Sequence, residues 1–381
     1  MSDEAQALSF LHELAAELSE IRRAKEYGFW RSDTVPRAQA RLAAIEPFCH
    51  FTTCRIDSGD GARAEVGTRF GEWAIDRLVA KQTPEQILAA FHSEVARNVG
   101  AYEEVSPILG AQFDAGRELA GGLRLVPPSQ DIFDREGYTY RFQWPQERAQ
   151  TGFLVQPYSV TPAFTSADDS GCNGVTAPDQ TARRESRERV RMACLLASSG
   201  GIEMPMSVIL GDRQSLFQVE GNPAYRPAAT LPLAPFPLDL DLVDEFYSSL
   251  ATFTELAVVA RAIDRLGRSR TSPDPVNRAL DLGMAAEIVL MHDNGGSNAE
   301  ITHKISSRAA WLLGIDPEMR SGISKDMKEL YATRSKAVHE GILPTRRAAD
   351  LDAADRLVVS VLQALVRRGE FPEWNSLTLG G

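Results

Sequence analysis

Lys328-Glu329-Leu330-Tyr331-Ala332-Thr333-Arg334-Ser335-Lys336-Ala337-Val338-His339-Glu340-Gly341 reads as the last three turns of an amphipathic helix. Met327, Leu330, Tyr331, Arg334 and Val338 recur at three- and four-residue steps, which puts them near one face. Gly341 offers a left-handed C-cap, and Pro344 prevents the helix from resuming. Arg334 and His339 therefore sit at a helix end, about 140° apart around its axis, and share a face only if the last turn loosens. Arginine presents a fixed positive fork that suits phosphate oxygens. Histidine takes or gives a proton near neutral pH. Close together, the two are equipped to hold a phosphodiester and move a proton without a metal. The same residues also read as a surface arginine and a histidine that favours the negative end of the helix dipole.

The residues before this stretch read as further helices. A stripe of Leu242, Phe246, Leu250, Phe253, Leu256, Ala257 and Ala260 predicts a first helix over 240–266. A second is predicted over 276–292, with Leu280, Met284, Ile288 and Met291 apolar. A third starts at Ser297, where Glu300 completes a capping box, and ends at Gly314. The fourth starts at Asp316 with Pro317 in its first turn and carries the Arg334–His339 pair. A fifth is predicted over 348–368. Short loops and continuous apolar stripes imply an antiparallel helical bundle over 238–370, followed by a tail, 371–381.

Tyr331-(x)2-Arg334-Ser335-Lys336-(x)2-His339-Glu340-Gly341, ending a long helix with one more helix after it, resembles the HEPN superfamily, and within it the Apea-like branch. The resemblance covers residues 240–370. It implies a helical bundle and metal-independent RNA cleavage at an Arg-(x)4–6-His site assembled across a homodimer. By the resemblance Arg334 and His339 are the catalytic pair, and Ser335, Lys336 and Tyr331 support them or bind substrate. Glu287 and Arg308 match, by position, an acidic residue and an arginine that recur in the second and third helices of that branch; a structural ion pair explains them equally well. His292 and His303, near helix ends, are expected at the surface.

At 381 residues the chain is long enough for two or three domains, and its 43% apolar content supports real cores. The whole is expected to be mainly α with a small β portion. Residues 1–220 read as an α+β region, helical over 1–110 and β-containing over 111–220. Pro223, Pro227, Pro232, Pro235 and Pro237 mark 221–237 as an extended linker. The opening Met1-Ser2-Asp3-Glu4 is acidic where a secretory signal would be basic, and no apolar run approaches membrane length. A cytoplasmic protein with no membrane partner is expected. The net charge of −11 argues against a general nucleic-acid coat but allows a local basic site.

Within the first region, 3–28 reads as a helix with Leu8, Leu11, Leu14, Leu18 and Ile21 on one stripe, and a second begins at Pro36. Residues 48–56 read as a strand and 62–80 as a helix. Thr83, Pro84 and Gln86 form a capping box for a helix predicted to reach Glu104, with His92 structural beside its apolar stripe. Strands are predicted at 122–126, 138–144 and 153–160. Tyr140, Arg141, Phe142 and Trp144 are read as a packed face, with base stacking as the other reading. Residues 165–182 read as a polar loop. The five arginines of Arg183–Arg191 are read as a solvated helix face because Glu185 and Glu188 interleave them; an RNA contact is the alternative. Ser207–Leu210 and Leu216–Val219 read as a hairpin.

Cys49-His50 and Cys54 look like half of a zinc site, but no second pair follows at finger-like spacing, so no metal and no cofactor is expected. Cys194 reads as core. Neither Gly-x-Gly-(x)2-Gly nor the Walker pattern occurs, which leaves a nucleotide sensor over 100–220 without support. The leading expectation is a prokaryotic defence or toxin-like ribonuclease. It would act on RNA as a homodimer, with residues 1–237 binding a trigger molecule or protein. The alternative is a non-catalytic dimerisation module that binds RNA or a partner.

Overall fold

The structure is a computed structural model that describes residues 3–24, 30–59, 63–128, 152–166, 176, 179–212, 215–219, 221–225, 235–293, 300–343 and 350–379. In chain order its elements are α1 (Asp3–Ala24), α2 (Trp30–Leu42), β1 (Arg55–Asp57), β2 (Arg63–Glu65), α3 (Phe70–Val79) and α4 (Pro84–Arg97). Six strands follow: β3 (Gly100–Ile108), β4 (Ala111–Gln112), β5 (Arg117–Glu118), β6 (Arg124–Val126), β7 (Gly152–Val160) and β8 (Phe164–Thr165). Then come α5 (Gln180–Ala197), β9 (Met206–Gly211), β10 (Gly221–Tyr225), β11 (Phe236–Pro237), α6 (Leu240–Thr252), α7 (Leu256–Thr271) and α8 (Pro275–Leu290). The chain closes with α9 (Ile301–Leu313), α10 (Pro317–Glu340), α11 (Leu351–Arg368) and α12 (Trp374–Leu379). The protein is mainly helical with a small sheet portion. Among the described residues no helix is long and apolar enough to cross a membrane.

Two units emerge, each with its own core. The first comprises Met1–Ser106, Val155–Arg183 and Met206–Tyr225, and the second comprises Pro107–Leu154, Arg184–Pro205 and Arg226–Gly381. This differs from a single cut at 221–237, because the chain enters the C-terminal unit three times. The cause is local. Val190, Ala193, Cys194 and Leu195 of α5 are fully buried in the same cluster as the bundle helices. The linker expected over 221–237 is structured at both described ends: 221–225 is β10, and Phe236 and Leu238 donate backbone hydrogen bonds to Gly110 and Gln112. Residues 226–234 lie outside the described residues.

In the first unit, Leu11, Leu14 and Leu18 of α1 are buried, as their spacing implies. The second helix starts at Trp30, so Pro36 lies inside α2 rather than opening it. The Thr83 capping box forms as expected: Gln86 N donates to Thr83 Oγ1 and Thr83 N to Gln86 Oε1. Yet α4 stops at Arg97, where Asn98 turns left-handed (φ 46°) and its side chain donates from Nδ2 to Phe164 O and accepts at Oδ1 from Phe164 N. Glu104 is therefore in strand β3, not in a helix. Residues 48–51 form a 3-10 turn and only 55–57 a strand; 62–80 splits into β2, a short turn and α3. The strand partner of β9 is β10 and not 216–219, with Ala224 opposite Ser207. Within this unit β9 also pairs antiparallel with β3, placing Tyr102 opposite Gly211. The stretch 138–144 and most of the 165–182 loop lie outside the described residues.

The arginine-rich helix is solvated on one side only, where Arg184 and Glu185 are exposed. Arg183, Arg187 and Arg191 recur at four-residue steps and are 3%, 7% and 7% exposed. In the first unit Arg183 donates to Glu104 (3.1 Å) and lies over the Tyr158 ring. In the second, Arg191 binds Glu188 and Asp264. Burial alone would lower the Arg191 pKa, but those two carboxylates outweigh it and raise the pKa, fixing the positive charge.

The second unit is a helical bundle with three departures from the sequence expectation. The predicted 240–266 helix is two, α6 and α7, broken at buried Phe253, whose backbone is extended (ψ 126°); the next residue, Thr254, donates from its N–H to Gly369 O. Glu300 precedes α9 in a left-handed conformation and makes no side-chain cap; Ser297 lies outside the described residues. Finally, the tail contains α12, whose Trp374 is 2% exposed. Trp374 Nε1 donates to His292 Nδ1 (3.2 Å), and the His292 ring stacks on Phe371. His292 is thus an internal fastening of the C-terminus; His303 is exposed, as expected.

Candidate active site

Helix α10 begins and ends where its sequence signals lie. Asp316 accepts from Met319 N (2.8 Å), Pro317 occupies the first turn, and Gly341 closes the helix with φ 66°. Its inward face is Met327, Leu330, Thr333 and Ala337, all buried. Val338, expected on that face, is 50% exposed. Arg334 and Tyr331 occupy the boundary between the buried and exposed faces.

Arg334 is brought against α8. Its Nη2 lies 3.5 Å from Glu287 Oε2, and its guanidinium stands 5.6 Å from the centre of the Tyr331 ring. Arg334 Nε and Glu287 Oε2 are buried atoms with no hydrogen-bond partner among the described residues. The pair is therefore a charge contact rather than a closed fork, and the guanidinium keeps donor capacity. The side chains of Arg334 and Glu287 are about a quarter and a third exposed (27% and 33%), so an incoming anion has access. Burial raises the Tyr331 pKa, the Glu287 charge raises it further and Arg334 opposes both, so the phenol remains a donor at neutral pH.

One contributor escaped the sequence reading. Gly283 of α8 lies under the Arg334 stem: a Cβ built there would stand 2.5 Å from Arg334 Cγ and 2.8 Å from its Cβ. Glycine in a helix interior costs about 1 kcal/mol relative to alanine, and that cost was the available signal. Here it provides the slot that seats Arg334 beside Glu287. Gly283→Ala should therefore lower stability, since overpacking of about 1–3 kcal/mol outweighs the gain in propensity. A thermal melt measures this, and an unchanged or raised midpoint would show that the stem moves aside freely.

The remaining expected residues are placed differently. His339 is exposed in the last turn of α10. The helix runs unbroken through it, so His339 and Arg334 stay about 140° apart around the axis. Lys336 pairs with Glu340 (3.4 Å), and Ser335 is half-buried. Arg308 does not join this group: it is 7% exposed, holds Asp293 through two nitrogens (2.7 and 3.1 Å) and lies over Trp374. Position in the third helix pointed to the site, but the shortest route for its guanidinium is the end of α8, where it also binds Leu290 O. Beside Tyr331, the first turn of α9 presents a shallow, open surface lined by Glu300, Ile301, Thr302 and His303. Its end of the helix favours negative charge.

No protein-family model matches the chain, and no match is found among curated proteins or solved structures.

Proposed function

We propose that the C-terminal bundle is a metal-independent endoribonuclease of the HEPN kind, acting as a homodimer. The observation that supports this most is the placement of Arg334, which is seated by Gly283, held beside Glu287 and Tyr331 without a closed hydrogen-bonded fork, and partly exposed. Arg334 holds the phosphate and offsets the charge that builds on it. His339 moves the proton. The ribose 2′-oxygen attacks the adjacent phosphorus, the 5′-oxygen leaves with a proton, and the products are a cyclic phosphate and a 5′-hydroxyl. Tyr331 stands beside Arg334 and Lys336 lies on the His339 side of the helix; with Ser335 they orient the substrate.

One chain alone presents Arg334 and His339 in different directions, so a complete site needs a second copy. Two apolar side chains at the same end of α10, Val338 (50% exposed) and Ile342 (68%), suit a face that a second copy covers. The first unit, on this reading, binds the trigger or restrains the nuclease. A non-catalytic, RNA-binding dimer is the competing reading, favoured by the separation of the two residues in one chain. Cleavage of RNA in EDTA by wild-type protein and by Arg334→Ala separates the two: the first predicts loss of cleavage in the variant, the second predicts none in either.

A further inference from the structure

The first unit presents three unlike metal-ligating groups on one outward turn, in a place the sequence pattern suggested only in part. Among the described residues Glu46, Cys49 and His50 are the one group whose ligand atoms all lie within 4.8 Å of one another. We propose that they bind a zinc-like, thiophilic divalent cation, with a fourth position left for water or an incoming ligand. This concerns the N-terminal unit and stands apart from the nuclease reading.

The donor set is held from below. Ile45 and Phe48, on the inner side of the same turn, are 7% and 0% exposed. The Phe48 ring packs against Phe91 and Phe70, with centroids at 4.3 and 5.2 Å. Cys49 N donates to Ile45 O (3.0 Å), and Thr52 Oγ1 donates to Cys49 O (3.0 Å). With the backbone fixed in this way, Glu46, Cys49 and His50 share the outer side. His50 Nε2 already lies 3.5 Å from Glu46 Oε1. Zinc bonds of about 2.0–2.3 Å give a tetrahedron with edges of about 3.3–3.8 Å, so that pair needs almost no movement.

The ligand types choose the metal. One sulfur, one imidazole nitrogen and one carboxylate oxygen suit zinc, cobalt or nickel and not magnesium or calcium, which take oxygen. On binding, a bond forms between the Cys49 sulfur and the metal, and the thiol proton passes to solvent. Cys54, the other cysteine of this stretch, is not part of the group; it is 8% exposed and burial raises its pKa, which keeps it a thiol. Glu46 is the ligand that finger-like cysteine spacing did not suggest.

Cobalt(II) is the probe, titrated into metal-free full-length protein with a non-thiol reductant present. Binding gives a near-ultraviolet sulfur-to-cobalt charge-transfer band and visible bands of tetrahedral intensity, saturating at one equivalent and reversed by zinc. Cys49→Ser should abolish the ultraviolet band. His50→Ala and Glu46→Gln, both at exposed positions, should weaken binding at least as much as loss of an outer-shell partner does, about 10–100-fold. No band in the wild type, a band that survives Cys49→Ser, or affinity unchanged in both His50→Ala and Glu46→Gln would overturn the proposal. The last outcome would leave only a single thiol and an ordinary exposed His–Glu pair.

Discussion

Mixing Arg334→Ala with His339→Ala protein should restore RNA cleavage that, on the proposed function, neither variant has alone. On that function, removing Arg334 would take away the donor that stabilises charge on the phosphate, a loss of about 10²–10³ in rate. Removing His339 would take away the group proposed to move the proton, about 10²–10⁴. Neither change touches the buried face of α10, which is Met327, Leu330, Thr333 and Ala337, so both proteins should fold and dimerise. The two residues point about 140° apart in one unbroken helix. A site that takes one residue from each copy is then intact once in every mixed dimer. A two-fold dimer has two such sites and half the dimers are mixed, so recovery approaches about a quarter of wild-type activity. Cleavage of a labelled RNA, measured after mixing and re-equilibration, reads this directly. No recovery, with both variants dimeric, would mean that Arg334 and His339 of the same chain act together or that they do not act at all.

The second large effect is on stability. Glu94→Ala should cost about 3–5 kcal/mol, the usual cost of removing one partner of a buried ion pair. Glu94 is 6% exposed, and all its capacity is used inside the first unit. Its carboxylate accepts from Arg77 Nη2, from Trp73 Nε1 (3.4 Å), from Leu216 N (2.7 Å) and from Ser215 Oγ (3.3 Å). Arg77 is itself buried and lies over the Trp73 ring, 4.9 Å from its centre. Alanine therefore leaves a buried cation without its carboxylate and a buried backbone N–H without an acceptor. Glu94→Gln keeps an acceptor and should cost less. Against a typical total of about 5–15 kcal/mol, the alanine variant is close to the limit of what the protein tolerates. Denaturant unfolding of both variants checks the order; equal midpoints for wild type and Glu94→Ala would show that the contact contributes nothing.

Much of the second unit was legible because its signals are local. Asp316, Pro317 and Gly341 each act through their own backbone, and α10 starts and stops where they stand. The Thr83 capping box is of the same kind. What failed was non-local. Nothing in the apolar stripe from Leu242 to Ala260 marks the break at Phe253, since Phe253 is itself apolar and correctly buried. Arg183, Arg187 and Arg191 looked solvated because glutamates interleave them, although their four-residue spacing set them on one stripe, and that stripe faces inward. Periodicity gives the angle of Val338 on α10 but not whether a neighbour covers it.

The candidate site shows the same division. Arg334 and His339 were legible as residue types at a helix end. That Glu287 and not Arg308 meets this group depends on how α8 and α9 end, with Arg308 drawn to Asp293 and Leu290 O. Gly283 is visible only as a glycine inside a helix until Arg334 is seen above it.

The most direct measurement is to incubate purified wild-type and His339→Ala protein with total cellular RNA in EDTA and sequence the ends. Discrete cuts with 5′-hydroxyl ends, made by the wild type and absent from His339→Ala, are expected. Cuts that His339→Ala makes equally well, or that vanish from the wild type only because EDTA is present, would contradict a metal-independent nuclease at this site.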